Sequence, residues 1–370
     1  MRVAIAHDQL AHLAGGERVV LAMAKAFPGA PIYTSLYEPD AEFPEFRELD
    51  VRVSPLNRFS ILRRNHRWAL PFTASAFDRM RIDADVVLCS SAGWAHGVTT
   101  HRPETRKIVY CHTPARWLYQ SQRYLGEGKV MWRAGLRLLH GRLLSWDKHA
   151  AASAHLYLAN SKAVRDRIRD CYGIEAELLP PPLNLDTSGR RQPVAGIEPG
   201  YLLCVSRLLP YKNVGQIIDA VRSLDGVKLV VLGTGPEEEQ LREIAPASVR
   251  FLSNVSDENL RWLYENSVAL VSASYEDFGL AVVEAASFGK PAAALRWGGF
   301  LDSVIEDRTG VFFDEPTSTA IAAALQQLLS RDWEPGEIAQ HAVSSFGEPA
   351  FIERLQHIVS KEFARAPRPS

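Results

Sequence analysis

Short apolar runs recur along the chain, separated by stretches in which apolar residues return every three or four positions. The first set is "RVAIAH" (2–7), "PIYTSL" (31–36), "DVVLCSS" (85–91), "KIVYCH" (107–112) and "AHLYLAN" (154–160). A second set follows with the same character: "YLLCVSR" (201–207), "KLVVLG" (228–233), "VRFLS" (249–253), "VALVSAS" (268–274) and "PAAAL" (291–295). Strands that are apolar at nearly every position are buried on both faces, and the helices between them supply the cover. That pattern belongs to parallel sheets. Because the set occurs twice, it predicts two doubly wound α/β domains. Ligands of such sheets bind beyond the carboxyl ends of the strands, so two facing domains would enclose a cleft lined by strand-end loops.

Between the two sets, "LLPPPLNLDTSGRRQPVAGIEPG" (178–200) is rich in Pro and Gly and has no apolar period, which marks a linker. The expected domains are 1–185 and 186–349. The last periodic stretch, "EPAFIERLQHIVSKEFA" (348–364), is helical, with Phe351, Leu355, Ile358 and Val359 on one stripe, and a polar tail follows.

Composition narrows the class without naming it. With 370 residues, 46% hydrophobic and 23% charged, the chain is an ordinary globular one long enough for about two cores. A formal net charge of -1 gives no general attraction for nucleic acid, so any anion must be held by local patches. Cys89, Cys111, Cys171 and Cys204 are scattered with no C-x-x-C pair, which favours a reducing cytoplasm over a disulfide framework or a zinc site. The start of the chain places His7, Asp8 and Gln9 where an export signal needs apolar residues, and no run approaches the ~20 apolar residues of a membrane span.

Candidate chemistry sits in the predicted strand-end loops. In "VSRLLPYKN", Arg207 and Lys212 lie between a strand and a helix starting near Asn213, where two cations and the helix amides suit a diphosphate; two solvated loop cations are the alternative. Gly15 and Gly16 in "LAGGERVV" occupy the matching place in the first half, and Gly233 and Gly235 end another strand. These let a backbone approach a ligand closely, or simply make tight turns. In "YEDFGLAVVEA", Glu276 lies on a loop and Glu284 about one turn into a helix running from Leu280 to Phe288, closed by Gly289 and Pro291. The N–H groups of Phe278, Gly279 and Leu280 are unpaired donors at that helix start, suited to an anionic group. An acid among Val282, Val283, Ala285 and Ala286 suggests a functional task for Glu284, although a solvated helix acid is the plainer alternative.

Taken together, these segments resemble the retaining glycosyltransferases of family 4, which have the GT-B fold. "EDFGLAVVE" is similar to that family's E-x7-E signature, "SRLLPYKN" to its Arg and Lys phosphate loop, "GGER" to its first glycine loop and "VLGTGPEEEQL" to a further strand-end loop. "YCHTPARWLY" (110–119) resembles its His-Thr-Pro segment and "LANSKAVRDRI" (158–168) its Asn-Ser element; the likeness runs in order from residue 1 to about 360. The first-half segments resemble the mannosyltransferase branch of O-antigen and exopolysaccharide assembly. The resemblance implies an acceptor-binding Rossmann-like N-terminal domain, with 350–370 returning to it, and a donor-binding C-terminal domain. It further implies that Arg207 and Lys212 hold the donor diphosphate, Glu284 the ribose, and Glu276 with the amides of Phe278, Gly279 and Leu280 the transferred sugar and phosphate. Gly16 would pack against the diphosphate, His112 would reach the sugar, and Asn254 and Val255 would lie by the base. The implied donor is a nucleotide-diphosphate sugar, GDP-mannose first and UDP-hexoses next, with no metal required. The implied acceptor is a glycan or polyprenyl-diphosphate-linked hydroxyl.

Three further features bear on this expectation. Asp83 and Asp85 imitate a D-x-D metal motif but precede their strand, at the end away from the expected site. Segments 58–72 and 133–149 combine Arg58, Arg63, Arg64 and Arg67, and later Leu136, Leu139, Leu143 and Trp146, in patterns suited to an anionic membrane surface or to an ordinary basic outer face. A cytoplasmic protein, peripheral on the membrane's cytoplasmic face, is expected. A nucleotide-sugar epimerase, a phosphorylase and an inactive scaffold are the rival functions; the epimerase would need an acid/base set that the sequence does not offer.

Overall fold

The computed structural model describes residues 1–11, 15–64, 66–119, 130–183 and 185–365, with side chains at all of these except 64, 66–68, 70–71 and 130–139. The chain divides into two compact units, residues 1–182 with 351–370, and residues 183–350.

Strands of the first unit are β1 (Val3–His7), β2 (Ile32–Thr34), β3 (Val51–Val53), β4 (Arg81–Ile82), β5 (Val86–Ser91), β6 (Thr99–Thr100), β7 (Arg106–Cys111), β8 (Leu156–Ala159) and β9 (Glu177–Leu178). Seven form one parallel sheet in the order β3-β2-β1-β5-β7-β8-β9, while β4 and β6 pair separately. The pleat sends successive residues to opposite faces. Ala4, Ala6, Val87, Cys89, Val109 and Cys111 therefore enter one core and Ile5, Val86, Leu88, Ile108 and Tyr110 another. This is why the runs read as apolar throughout.

The helix Glu348–Phe363 belongs to this first unit, far from its place in the sequence. Phe351, Leu355 and Val359 complete the second of those cores, and the Phe351 ring meets Tyr110 edge-on at 6.0 Å. Three such side chains contribute about 1.5–3 kcal/mol each through burial alone. Polar pins fix the register: Gln356 Nε2 donates to the Ala26 carbonyl at 2.7 Å and Arg354 to that of Leu178 at 3.0 Å.

The second unit holds β10 (Tyr201–Val205), β11 (Leu229–Leu232), β12 (Val249–Leu252), β13 (Ser267–Ser272), β14 (Ala292–Leu295) and β15 (Gly310–Phe313). All pair in parallel in the order β12-β11-β10-β13-β14-β15. The order reverses between β10 and β13, as it does between β1 and β5 in the first unit, so each unit has a switch point where strand-end loops part to admit a ligand. The segment expected as a linker is mostly built into structure. Its first residues end β9, Leu183 and Leu185 join the second core, and Val194 and Ile197 pack against it. The Pro-Gly pattern fixes an irregular backbone there without leaving it loose.

Candidate functional site

In the second unit the loops after β10 and β13 meet. Lys212 ends a short 3-10 turn, Pro210–Lys212, and is followed by Asn213 in the left-handed conformation at φ 53°. The Asn213 amide donates to the Ala273 carbonyl at 2.8 Å, tying the first loop to the end of β13. Lys212, nine-tenths buried, ion-pairs with Glu276 and lies 4.9 Å over the Tyr211 ring. Arg207 is exposed, and its guanidinium has no ion pair or hydrogen bond among the described residues. Gly233 and Gly235 pack on the backbone of residues 206–208 so closely that a Cβ at either would overlap a carbonyl. They brace the Arg207 loop.

Glu276 is held from its main chain as well. The Gly299 N–H donates to its carbonyl at 3.2 Å, and Gly298, at φ 59°, lies against the same oxygen with no room for a Cβ. Gly279 starts the helix Leu280–Ser287 with φ 87° and no side-chain cap, and a Cβ there would overlap the Phe300 ring. Phe278 turns its ring into the core against Phe346 at 5.5 Å, so only its backbone serves the loop. One turn into the helix, half-buried Glu284 accepts a 2.6 Å hydrogen bond from the Tyr264 hydroxyl through Oε2. Asn254, at φ 52° and exposed, and half-buried Val255 follow β12, two strands out from β10.

In the first unit Gly15 and Gly16 open the helix Gly15–Ala26, and a Cβ on Gly16 would stand 3.6 Å from His112 Nε2 and 3.7 Å from His7 Cε1. His112 follows β7; its carbonyl accepts from Asn160 at 3.1 Å, while Ser161 caps the helix Lys162–Tyr172. Its Nε2 lies 2.8 Å from Ser90 Oγ, which is 3.0 Å from His7 Nδ1, and His7 Nε2 is 3.8 Å from Glu17 Oε1. Burial opposes protonation of His7, but Glu17 and Asp8 outweigh it and raise the group above its usual value. Asp8 collects the N–H groups of Ala92, Trp94 and Ala95 at 2.6–2.8 Å, joining the loops after β1 and β5.

Two family models match, one for each unit. Residues 13–187 match "Glycosyltransferase Family 4" and residues 189–343 match "Glycosyl transferases group 1". The chain belongs to glycosyltransferase family 4. Among its relatives is human alpha-1,3/1,6-mannosyltransferase ALG2, 26% identical, with 94% of this chain and 93% of ALG2 covered. The GDP-mannose-dependent alpha-(1-6)-phosphatidylinositol monomannoside mannosyltransferase of Mycobacterium tuberculosis is 29% identical, covering 46% of this chain and 51% of that protein. Its GT-B fold is that of the sucrose-phosphate synthase of Thermosynechococcus elongatus (TM-score 0.71, 17% identity, 99% and 100% covered). It is also that of Anabaena HepE solved with UDP-glucose (TM-score 0.69, 16% identity, 98% and 100% covered).

This glycosyltransferase thus brings Lys212, Glu276 and Gly279 together in one unit and Gly16 and His112 in the other. Sequence reasoning overlooked Tyr264, His7, Ser90, Gly298 and Gly299; the doubled glycine of "RWGGF" just after a strand was the one legible signal. Asp83 and Asp85 sit at the amino end of β5, paired with Arg2 and Arg102. Among the described residues no three His, Cys, Asp or Glu side chains form a metal-holding group, and no helix is long and apolar enough to cross a membrane. Of segment 58–72, Phe59, Ile61 and Phe72 are 58%, 61% and 57% exposed, while Arg63 is paired with Glu38. The side chains of Arg64, Arg67, Leu136 and Leu139 lie outside the described residues.

Proposed function

We propose that this glycosyltransferase moves mannose from GDP-mannose, with retention at the anomeric carbon, to a hydroxyl of a glycan or polyprenyl-diphosphate-linked acceptor in cell-surface polysaccharide or glycolipid assembly. The observation that carries the sugar is the likeness to a mannosyltransferase over 94% of the chain; the nucleotide rests on the mycobacterial relative, whose name specifies GDP-mannose. The departing diphosphate gathers negative charge, which Arg207, Lys212 and the amides of Phe278, Gly279 and Leu280 would stabilise. A pre-aimed donor of that kind is worth about 2.7–4 kcal/mol of barrier. Glu276, held on Lys212, is oriented toward hydrogen bonding and not toward attack: a carboxylate paired with an ammonium is a poor nucleophile. Glu284 would take ribose hydroxyls, and Asn254 and Val255 the base. Exposed Phe59, Ile61 and Phe72 beside Arg58 support peripheral attachment to the cytoplasmic face of a membrane.

A thermal-shift panel of GDP-mannose, UDP-glucose and UDP-galactose tests the donor, since a ligand at 100 times its dissociation constant adds about 2.7 kcal/mol. Stabilisation by UDP-sugars alone would replace the donor with a UDP-hexose, the competing reading. Product NMR reads the anomeric configuration, and inversion would overturn the retaining mechanism. Unchanged binding to anionic vesicles after Phe59→Ser, Ile61→Ser and Phe72→Ser would remove the membrane role.

A further inference from the structure

The hydrogen bonds around Ser90 admit one proton arrangement. A hydroxyl has a single proton to donate. His7 Nδ1 lies 3.1 Å from the Ser90 carbonyl oxygen as well as 3.0 Å from its Oγ. A carbonyl only accepts, so Nδ1 of His7 carries a proton and donates. The hydroxyl then accepts from His7, and since buried Ser90 has no other side-chain partner among the described residues, its own proton goes to His112 Nε2, 2.8 Å away. With Nε2 accepting, the proton of a neutral His112 is on Nδ1.

We propose that Glu17, His7 and Ser90 are positioning residues that lock His112 as the neutral Nδ1–H tautomer. The groups facing His7 are Glu17, whose Oε1 is 3.8 Å from Nε2, Asp8, and His112 across the hydroxyl. Glu17 and His7 are each about 95% buried, so the contact at Nε2 holds the His7 ring with its Nδ1 turned to Ser90. A neutral imidazole suits the proposed reaction. Positive charge develops on the anomeric carbon as the diphosphate leaves, and an imidazolium beside it would raise the barrier. The inference deepens the proposed function and rests on it only for the benefit to catalysis; the tautomer itself does not depend on any donor.

The test is 15N-histidine NMR on the full chain, without donor, with the His112 signals assigned by their loss in His112→Gln. The expected spectrum has a protonated Nδ1 and a bare Nε2 at pH 7. Ser90→Ala should give a mixture of tautomers, and Ser90→Thr, which restores the hydroxyl, should return the single form. In transfer assays Ser90→Ala should lower kcat about tenfold while leaving the donor KM within about twofold. Glu17→Gln should likewise broaden the tautomer distribution of His112, because the partner that orients the His7 ring is weakened. A protonated Nε2 in the parent protein, or an unaltered spectrum in Ser90→Ala at intact circular dichroism, overturns the proposal. Failure of every nucleotide sugar would instead overturn the transferase reading and leave the NMR result standing.

Discussion

Replacing Tyr264 by Phe deletes one buried oxygen from the second unit and leaves the shape of the side chain unchanged. The ring stays stacked on Phe288 at 5.6 Å and 15°, and the 2.6 Å hydrogen bond to Glu284 is lost. A hydrogen bond to a charged group is worth about 1.5–3 kcal/mol. Glu284 is only half-buried and recovers some hydration, which puts the expected loss near the lower end, about 1.5 kcal/mol. Urea unfolding followed by tryptophan fluorescence measures it, and only the transition of the unit containing Trp262, Trp297 and Trp333 should move. Kinetically, a carboxylate that has lost its anchor binds ribose less well in ground and transition states alike. The donor KM should therefore rise about tenfold with kcat within about twofold. Glu284→Gln should raise KM further, and the double variant should show a coupling of about 1 kcal/mol. If Glu284→Gln leaves the donor KM unaltered while Tyr264→Phe costs the full stability, Glu284 is a structural acid and the ribose assignment is wrong.

Gly279→Ala combines a left-handed backbone with an overlap on Phe300, and the two together should cost about 2–5 kcal/mol, read as a lowered urea midpoint; a loss under about 1 kcal/mol would mean the helix start relaxes freely. Lys212→Met should reduce kcat about 10²–10³-fold and Arg207→Met should act chiefly by raising the donor KM, both with native-like melting curves, and unaltered kcat/KM in either removes it from the diphosphate site. The raised His7 value carries a definite sign: its stabilisation is complete below the unfolded value near 6.5 and is lost as pH rises through the folded one. The stability difference between the parent and His7→Gln should accordingly shrink from pH 6 toward alkaline pH, and a difference that grows would contradict the pairing with Glu17.

The sheets were legible because burial on both faces leaves short apolar runs, and their β-branched content and the helical periods between them separate these from buried helix segments. Ten strands were expected, and all ten are present within a residue or two. The strands overlooked are those where that pressure is relaxed. β3 has two exposed residues out of three, and β4, β6 and β9 are two residues long; β15 is buried but begins with a glycine, which masks its short apolar run. Within the candidate site the same logic holds. Glu276, Glu284, Arg207 and Lys212 could be picked out because charged groups at strand ends are chemically conspicuous. Tyr264 could not, since a tyrosine in an amphipathic helix reads as core until its hydroxyl is located. His7 and Ser90 were hidden because they face each other only when β1 and β5 are neighbours, and that adjacency belongs to the strand order.

The supports of the loops after β10 and β13 differ in kind, and under the proposed function the difference has a catalytic meaning. Glu276 is fixed by Lys212 on its side chain and by Gly298 and Gly299 on its backbone, and Glu284 by Tyr264. Arg207, by contrast, is exposed, with no partner among the described residues, although its backbone is braced by Gly233 and Gly235. Dipoles and charges fixed in advance stabilise a transition state without reorganising, whereas a loose guanidinium must surrender rotamer freedom when it engages. Under the proposed function, Lys212 and the helix amides would serve the charge that develops during bond cleavage, and Arg207 would draw the diphosphate in. On this argument Arg207→Lys should weaken donor binding more than turnover, because a point charge lacks the planar fork that grips two phosphate oxygens at once. Lys212→Arg should do the opposite, since a larger head in a nine-tenths buried slot displaces Glu276 from its place.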